Sequence, residues 1–277
     1  MIHKMKYIIF LVALFCICSL SQAQISLAPS FLFIDENNGV GTLYISNNGS
    51  NPYEVTISFL FGYPGGDEDG NLVMIYNDKN AYSQFALDDM IRAFPRSFNL
   101  KGGESRTVRI QLIPGQKQKQ GYFYTRLKVL AKPQAVEVSQ VTTQGIGAKI
   151  NFNFEQVTAV FYHKGPVSTG LAVKELDVKQ NGKALELRPK LEHKGNAPFL
   201  GSMIAKLKYA NGEVVAENKS TVTAYFDVTR RMDLNLDKVA PGNYILELSF
   251  ETQRNDMANT DLIQAPTLVH ETKVEIK

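Results

Sequence analysis

Short stretches of alternating apolar and polar residues, separated by turn-forming residues, run through almost the whole chain. Residues 53–61 and 106–112 show this alternation, and residues 47–52 between two such stretches are dense in Asn, Gly and Ser. Alternation with a period of two is typical of β-strands that bury one face. Strands and helices do not alternate regularly, which argues against a parallel α/β sheet. The pattern predicts an all-β protein.

The N-terminal half is predicted to hold about seven strands, the number and spacing of an immunoglobulin-like β-sandwich. The predicted strands are residues 25–28 and 31–34 (taken together), 41–46, 53–61, 92–100, 106–112, 121–130 and 149–162. Residues 63–84 are rich in turn formers, and residues 81–89 could form one or two helical turns. Residues 132–144 carry few large side chains and are predicted to form a mobile loop.

The C-terminal half shows the same kind of pattern. Strands are predicted at residues 171–178, 184–191, 202–209, 231–236, 243–252 and 269–276. Asn181-Gly182 and Asn211-Gly212 are strong hairpin signals, since both residue types tolerate positive φ. Pro166 cannot continue a central strand, so we expect a boundary there. The prediction is two immunoglobulin-like β-sandwich domains in tandem, residues 24–164 and 165–277.

Residues 1–23 have the features of a signal peptide. Lys4 and Lys6 precede an apolar run, and small residues lead up to Ala23, after which we expect cleavage. The resulting expectation is export to the periplasm. Both cysteines, Cys16 and Cys18, lie in this segment. The mature chain would then have no thiol for a disulfide, a nucleophile or a metal site.

Charge and polar motifs argue against several functional classes. The chain has 30 Lys and Arg against 27 Asp and Glu, without a long run of one sign, so nucleic-acid and polybasic membrane binding are unsupported. His163, His193 and His270 show no triad or metal-ligand spacing. Residues 67–71 resemble the start of a calcium loop but lack the later glutamate, which favours a hairpin tip. We expect no catalytic residue, metal, cofactor or small-molecule substrate.

The most informative segment is the Phe-rich stretch at residues 147–162. Ile150, Phe152 and Phe154 alternate with polar residues, as in a strand with one apolar face. Such residues are normally buried in a core. The alternative is an exposed edge strand whose apolar side chains are lent to another protein.

The order of several short motifs between residues 25 and 162 resembles the PapD-like periplasmic chaperones of the chaperone–usher pathway. The matching segments are Thr42-Leu43-Tyr44-Ile45-Ser46-Asn47 followed by Pro52-Tyr53, Phe94-Pro95-Arg96 through Leu100 and Gly102-Gly103, Val108-Arg109-Ile110, and Tyr122-Phe123-Tyr124 with Leu127. The C-terminal half resembles that family only in its general immunoglobulin-like pattern.

This resemblance implies a partner and a way of binding it. Ile150, Phe152 and Phe154 stand where the family's donor residues stand, counted back from Phe161-Tyr162. They would complete the unfinished sandwich of an exported pilin-like or fibre subunit, with an outer-membrane usher as a second candidate partner. The two basic residues with which the family anchors a client's carboxylate fall on Phe31 and Ala159, which are uncharged.

Shifting the alignment by two residues puts Val157, which is also uncharged, at the second anchor position. Lys149 or Lys164 could supply the missing charge, but neither stands at an anchor position. The sequence therefore predicts a non-enzymatic periplasmic chaperone for fimbrial or surface-fibre subunits that acts by donating a strand. The alternative is a structural or adhesive immunoglobulin-like module of the cell envelope, with Ile150, Phe152 and Phe154 buried internally. Nothing in the residues supports a third possibility, an enzyme with a site built from loops.

Overall fold

The computed structural model of the chain describes residues 24–116, 119–134 and 152–277, so the predicted signal peptide lies outside them. The N-terminal half contains eleven strands within these ranges. They are β1 (Ile25–Ala28), β2 (Phe31–Ile34), β3 (Val40–Asn47), β4 (Tyr53–Leu60), β5 (Tyr63–Gly66), β6 (Leu72–Ile75), β7 (Ile91–Phe94), β8 (Ser97–Leu100), β9 (Ser105–Leu112), β10 (Gly121–Pro133) and β11 (Phe154–Lys164).

Two sheets enclose the N-terminal core. One has the order β1-β3-β9-β7 and the other β2-β11-β10-β4-β8. The chain crosses from one sheet to the other at most of its connections, including that between β7 and β8, so the strand predicted at residues 92–100 is in fact two strands. Pro95, which has no N–H to donate to a ladder, stands at this crossing. The prediction of a β-sandwich is confirmed.

The five-stranded sheet is covered on both faces. Phe123 and Leu127 of β10 point into the sandwich core. Tyr122 and Tyr124 of the same strand point the other way, into an aromatic cluster shared with the C-terminal half. Because neighbouring positions of a strand face opposite sides, this double cover explains why β10 and β11 contain continuous apolar runs.

Residues 63–90 form a segment between β4 and β7 for which the sequence predicted turns, a hairpin tip at residues 67–71 and helical turns at residues 81–89. It comprises the hairpin β5–β6, the helix α1 (Lys79–Phe85) and a short 3₁₀ turn, Asp88–Met90. Asp78 caps α1 by accepting a hydrogen bond from the Ala81 N–H at 2.9 Å. The expected helical turns are thus present. Among the described residues, no helix has the length and apolarity needed to cross a membrane.

The C-terminal half is a second sandwich. Its strands are β12 (Thr169–Asn181), β13 (Ala184–Gly195), β14 (Phe199–Lys208), β15 (Val214–Ala224), β16 (Val228–Thr229), β17 (Met232–Asn235), β18 (Gly242–Glu251) and β19 (Leu268–Ile276). One sheet has the order β12-β13-β16, with β17 also pairing β13, and the other β15-β14-β18-β19.

The strand β15 is missing from the sequence prediction. It runs through the polar stretch Glu217-Asn218-Lys219-Ser220, which shows little apolar alternation. As a strand at the end of its sheet, β15 pairs only with β14 and needs few apolar side chains. The hairpin turns are as predicted, with Gly182 and Gly212 at φ of 58° and 90°, where a Cβ would be strained.

Candidate partner-binding site

The two ends of β11 have different surroundings. The strand pairs with β10 over all 11 of its residues. On its other side, β2 pairs in parallel with residues 159–162 only. Among the described strands none covers that side of residues 154–158, which therefore form an edge of the five-stranded sheet. An edge of this kind offers backbone N–H and C=O groups to another chain.

The predicted donor residues lie at and before this edge. Ile150 lies outside the described residues. Phe152 precedes β11, and its side chain is 63% exposed. Phe154 opens the strand, packs against the N-terminal core and meets the ring of Tyr53 edge to face, with centroids 5.5 Å apart. By their spacing both phenylalanines share the core-facing phase of β11, but Phe154 still reaches core residues and Phe152 is mostly in solvent.

A shallow groove of about 390 Å³ runs beside the edge, between residues 25–30 and 156–158. The Gln156 side-chain amide donates to the carbonyl of Ile25 at 3.1 Å, and the Thr158 hydroxyl donates to that of Ser30. Val157 lines the groove and is 48% exposed. Side chains rather than a strand thus connect this part of β11 to the segment around β1.

The two anchor positions lie next to each other. Phe31 and Ala159 are direct partners in the parallel pairing of β2 with β11. Both line a cleft of about 680 Å³ between the N-terminal and C-terminal halves. The sequence therefore identified two positions that meet in space, but neither carries a charge. The cations of this cleft come from arginines that sequence reasoning did not single out.

Arg254, in the segment after β18, lies beside the Phe31 anchor position, whereas Arg126 of β10 is the direct strand partner of Ala159. The guanidinium of Arg254 lies 5.3 Å from the centroid of the Phe31 ring, a cation–π distance. Asp256 accepts two hydrogen bonds from it, at 2.8 and 2.6 Å. The bidentate carboxylate compensates its charge within the chain.

Arg230 joins the two halves of the molecule. It donates to the carbonyl of Gly65 in β5 and to that of Thr223 in β15, both at 2.6 Å. The residue is only 6% exposed, and this burial lowers the pKa of its guanidinium. Its hydrogen bonds to two buried carbonyls identify Arg230 as a structural connection.

Arg126 is the arginine of the cleft with the least compensation. Its Nε donates to the carbonyl of Gly62 at 3.3 Å, and its Nη2 lies 4.0 Å from the sulfur of Met74. None of the ion pairs among the described residues involves it. The sequence did contain a signal for Arg126: it follows Tyr122 and Tyr124 at alternate positions of one strand and therefore shares their face.

Aromatic side chains fill the space behind the cleft. Tyr63, Tyr124 and Tyr225 are in mutual contact, with centroids of Tyr124 and Tyr225 4.4 Å apart. Burial raises the pKa of Tyr225 to about 12, and burial also raises the pKa of Tyr124 strongly. The cluster stabilises one packing of the two halves and keeps its hydroxyls neutral at physiological pH.

The histidines have structural contacts. The ring of His163 stacks on Tyr122, with centroids 5.8 Å apart, and Nε2 of His193 is 2.7 Å from the carbonyl oxygen of Ala197. Residues 67–71 form the tip of the β5–β6 hairpin, where the Asn71 N–H donates to Asp67 Oδ1 at 2.8 Å. Across the described ranges no group of three or more His, Cys, Asp or Glu side chains could hold a metal ion.

Comparisons of the sequence with protein-family profiles and with curated proteins give no match. Solved structures are similar in fold. The YadV chaperone is 10% identical, with 92% of this chain and 100% of that chain covered and a TM-score of 0.43. A chain of the CsuC–CsuE chaperone–tip adhesion subunit pre-assembly complex from Acinetobacter baumannii is 12% identical, with 90% and 98% covered and a TM-score of 0.42.

A chain of the complex between the Salmonella enterica SafA pilin and the SafB chaperone is 14% identical, with 93% and 99% covered and a TM-score of 0.41. The solved structures that this chain is similar to thus include pilus chaperones, the family that the motifs of the N-terminal half resemble.

Proposed function

We propose that the protein is a non-enzymatic periplasmic chaperone that binds an exported pilin-like or fibre subunit by adding a strand to the subunit's incomplete sandwich. The observation that carries the proposal is the one-sided pairing of β11. Residues 154–158 have β10 on one side and, among the described strands, none on the other. An incoming strand would gain backbone hydrogen bonds along this edge.

Specificity would come from side chains in the core-facing phase of β11. Phe152 is 63% exposed, and Ile150 precedes it by two residues in the sequence. A client sandwich that lacks a strand has an open apolar groove, and burying a Phe side chain in it contributes about 1.5–3 kcal/mol. In this scheme residues 24–164 form the donating domain and residues 165–277 the second domain.

The register of a client would depend on packing and pairing rather than on the family's anchor, because Phe31 and Ala159 carry no charge. Of the cations beside them, Arg254 over the Phe31 ring is engaged by Asp256, and Arg126 opposite Ala159 donates to the carbonyl of Gly62. We therefore expect client capture to depend more on the apolar donor residues than on ionic strength.

One observation favours the alternative, a structural or adhesive module of the cell envelope. Phe154 packs against the chain's own core and contacts Tyr53. Under that alternative, the Phe-rich segment serves the protein's own fold and no client is captured.

Affinity purification of the mature protein from its native envelope, followed by mass spectrometry, tests the proposal. Phe152→Asp should abolish the capture of a small exported β-rich protein while leaving the thermal stability unchanged. Val269→Asp is a matched control, since Val269 is 53% exposed on β19 in the other sandwich. Phe154→Asp is less informative because it places a charge against the core.

Two results would contradict strand donation. The first is a folded Phe152→Asp protein that captures the same partners as the native form. The second is a Phe152→Asp protein that unfolds, because Phe152 would then belong to the chain's own core.

A further inference from the structure

The hairpin strand β6 is a second exposed edge, separate from β11. Its residues Leu72, Val73 and Met74 are 64%, 38% and 36% exposed, and Tyr76 just after the strand is 40% exposed. Leu72 and Met74 face the cleft, whereas Val73 between them faces the other side of the strand. We call these four exposed residues the β6 stripe. Exposed apolar side chains grouped in this way on a soluble protein often mark an interaction site.

The packing of its partner strand explains why β6 is an edge. β5 contacts the C-terminal half so closely that a Cβ on Gly66 would lie 2.4 Å from the carbonyl oxygen of Thr229. The Arg231 N–H donates to the carbonyl of Gly70 at the hairpin tip, at 2.9 Å. β5 is thus fixed on the inside, and β6 pairs with β5 alone among the described strands.

The β6 strand also lacks the features that usually protect an edge. Edge strands are commonly blunted by lysine, proline or an inward-pointing charge. Residues 72–76 are all apolar or aromatic, and the first charged residue after them is Asp78. Four residues with unprotected backbone groups are enough to add one short strand.

A positively charged side chain, Arg126, lies beside the β6 stripe. Leu72 and Met74 line the cleft between the two halves, together with Arg126. The Arg126 guanidinium lies beside the Met74 sulfur and takes part in none of the ion pairs among the described residues. Two of the three acidic groups at the hairpin tip are engaged elsewhere, Asp67 by Asn71 and Asp69 by Arg188. An approaching carboxylate therefore meets a cation that pairs with no carboxylate among the described residues.

We propose that β6 binds an extended peptide segment of a partner protein, which adds as a third strand to the β5–β6 sheet. On its cleft side the segment carries apolar residues that contact Leu72 and Met74, with an acidic residue between them that pairs with Arg126. This interaction goes beyond strand donation by β11 and does not require it. An apolar strand with one carboxylate is the occupant that matches both the stripe and its cation.

The test uses a synthetic peptide, fluorescein-Thr-Val-Thr-Glu-Thr-Val-Thr-amide, in which Val, Glu and Val share one face. Fluorescence anisotropy measures its binding to the mature protein, and the peptide with Gln in place of Glu is the reference. We expect binding that the double variant Leu72→Asp, Met74→Asp weakens at least about tenfold, since it replaces the two apolar contacts of the peptide's valines by charged side chains. The Glu peptide should bind about threefold to fivefold more tightly than the Gln peptide, as for a partly exposed ion pair.

Variants at other positions separate the possible outcomes. Arg126→Gln should remove the preference for Glu while leaving binding of the Gln peptide unchanged. Val269→Asp is the control for an exposed valine replaced by a charge, and Phe152→Asp should bind the peptide like the native protein, which keeps this test independent of the proposed client capture.

Three results would overturn the proposal. One is the absence of binding by the native protein, and another is binding that survives the Leu72→Asp, Met74→Asp change. The third is a dimer in analytical ultracentrifugation that this double change dissociates, because the stripe would then be covered by a second copy of the chain.

Discussion

The two parts of β11 show how one strand can serve stability at one end and remain open at the other. Residues 159–162 are paired on both sides and buried on both faces, against the core and against the aromatic cluster. Residues 154–158 are paired with β10 alone among the described strands. The difference comes from the length of β2, which covers only four residues of the longer strand. The same kind of substitution should therefore reduce stability much more at the closed end than at the open end.

The largest expected effect is at the closed end. Phe161 is 1% exposed and stacks on Phe33 with centroids 5.0 Å apart. Phe161→Ala should lower the free energy of unfolding by about 3–5 kcal/mol, because it leaves a cavity among rigid neighbours. Urea unfolding followed by circular dichroism measures this. A loss below about 1 kcal/mol would mean that the cluster does not stabilise the fold.

A smaller loss is expected for the connection between the halves. Arg230→Met removes the donors to the carbonyls of Gly65 and Thr223 and should reduce stability by about 2–3 kcal/mol. Arg230→Lys is the matched control, since it retains the charge and can reach at most part of the geometry. If both variants melt like the native protein in differential scanning calorimetry, Arg230 does not connect the halves energetically.

Raising the pH tests the contribution of the buried tyrosines to stability without a mutation. Burial raises the pKa of Tyr225 to about 12 in the folded protein, above the ordinary value of 10.0. The neutral form is therefore favoured by folding, and its stabilisation is fully present below pH 10 and is lost as the pH rises through about 12. The loss is on the order of 2 kcal/mol.

Tyrosinate absorbance and thermal melting, recorded together across this window, measure the pH effect. Tyr225→Phe, which has no proton to lose, is the control and should weaken the alkaline decline. An unchanged decline in that variant would assign the effect to other tyrosines of the cluster.

The smallest losses of stability are expected at the open end of β11, and they give the strictest test of the contrast between its two ends. Phe154→Ala should cost about 1–2 kcal/mol, since Phe154 is half-buried against Tyr53. Phe152→Ala should change stability by less than about 0.5 kcal/mol, as for an exposed side chain. Equal losses at both positions in urea unfolding would show that Phe152 also belongs to the core, and the contrast along β11 would disappear.

The sequence predicted most strands because alternation is a local signal. It located β3, β4, β9 and β10 within a few residues. It missed β15, whose exposed polar residues give little alternation, and it predicted only the tip of the β5–β6 hairpin, at residues 67–71, and not its two strands, since the glycines of β5 give no alternation. In both cases the strand is defined by what it pairs with rather than by its own composition.

The candidate site was predicted in part. The family resemblance placed Phe31 and Ala159 at the two positions with which the family anchors a client's carboxylate, and the structure pairs these two residues directly. The arginines that line the cleft lie far from both in sequence, at positions 126, 230, 231 and 254. The alternation along β10 placed Arg126 on the face of Tyr122 and Tyr124, but a single sequence offers no signal that the C-terminal arginines join it, because their proximity depends on how the two halves pack.

By itself, then, the sequence determined the all-β class, the faces of the strands and the absence of charge at the two anchor positions. These follow from side-chain chemistry and the period of two along a strand. Only the tertiary structure decided that β11 is open over residues 154–158, that β6 is an exposed edge, and that Arg126 lies beside it without a carboxylate partner among the described residues. Whether a strand is an edge depends on which other strands reach it, and that is a non-local property of the fold.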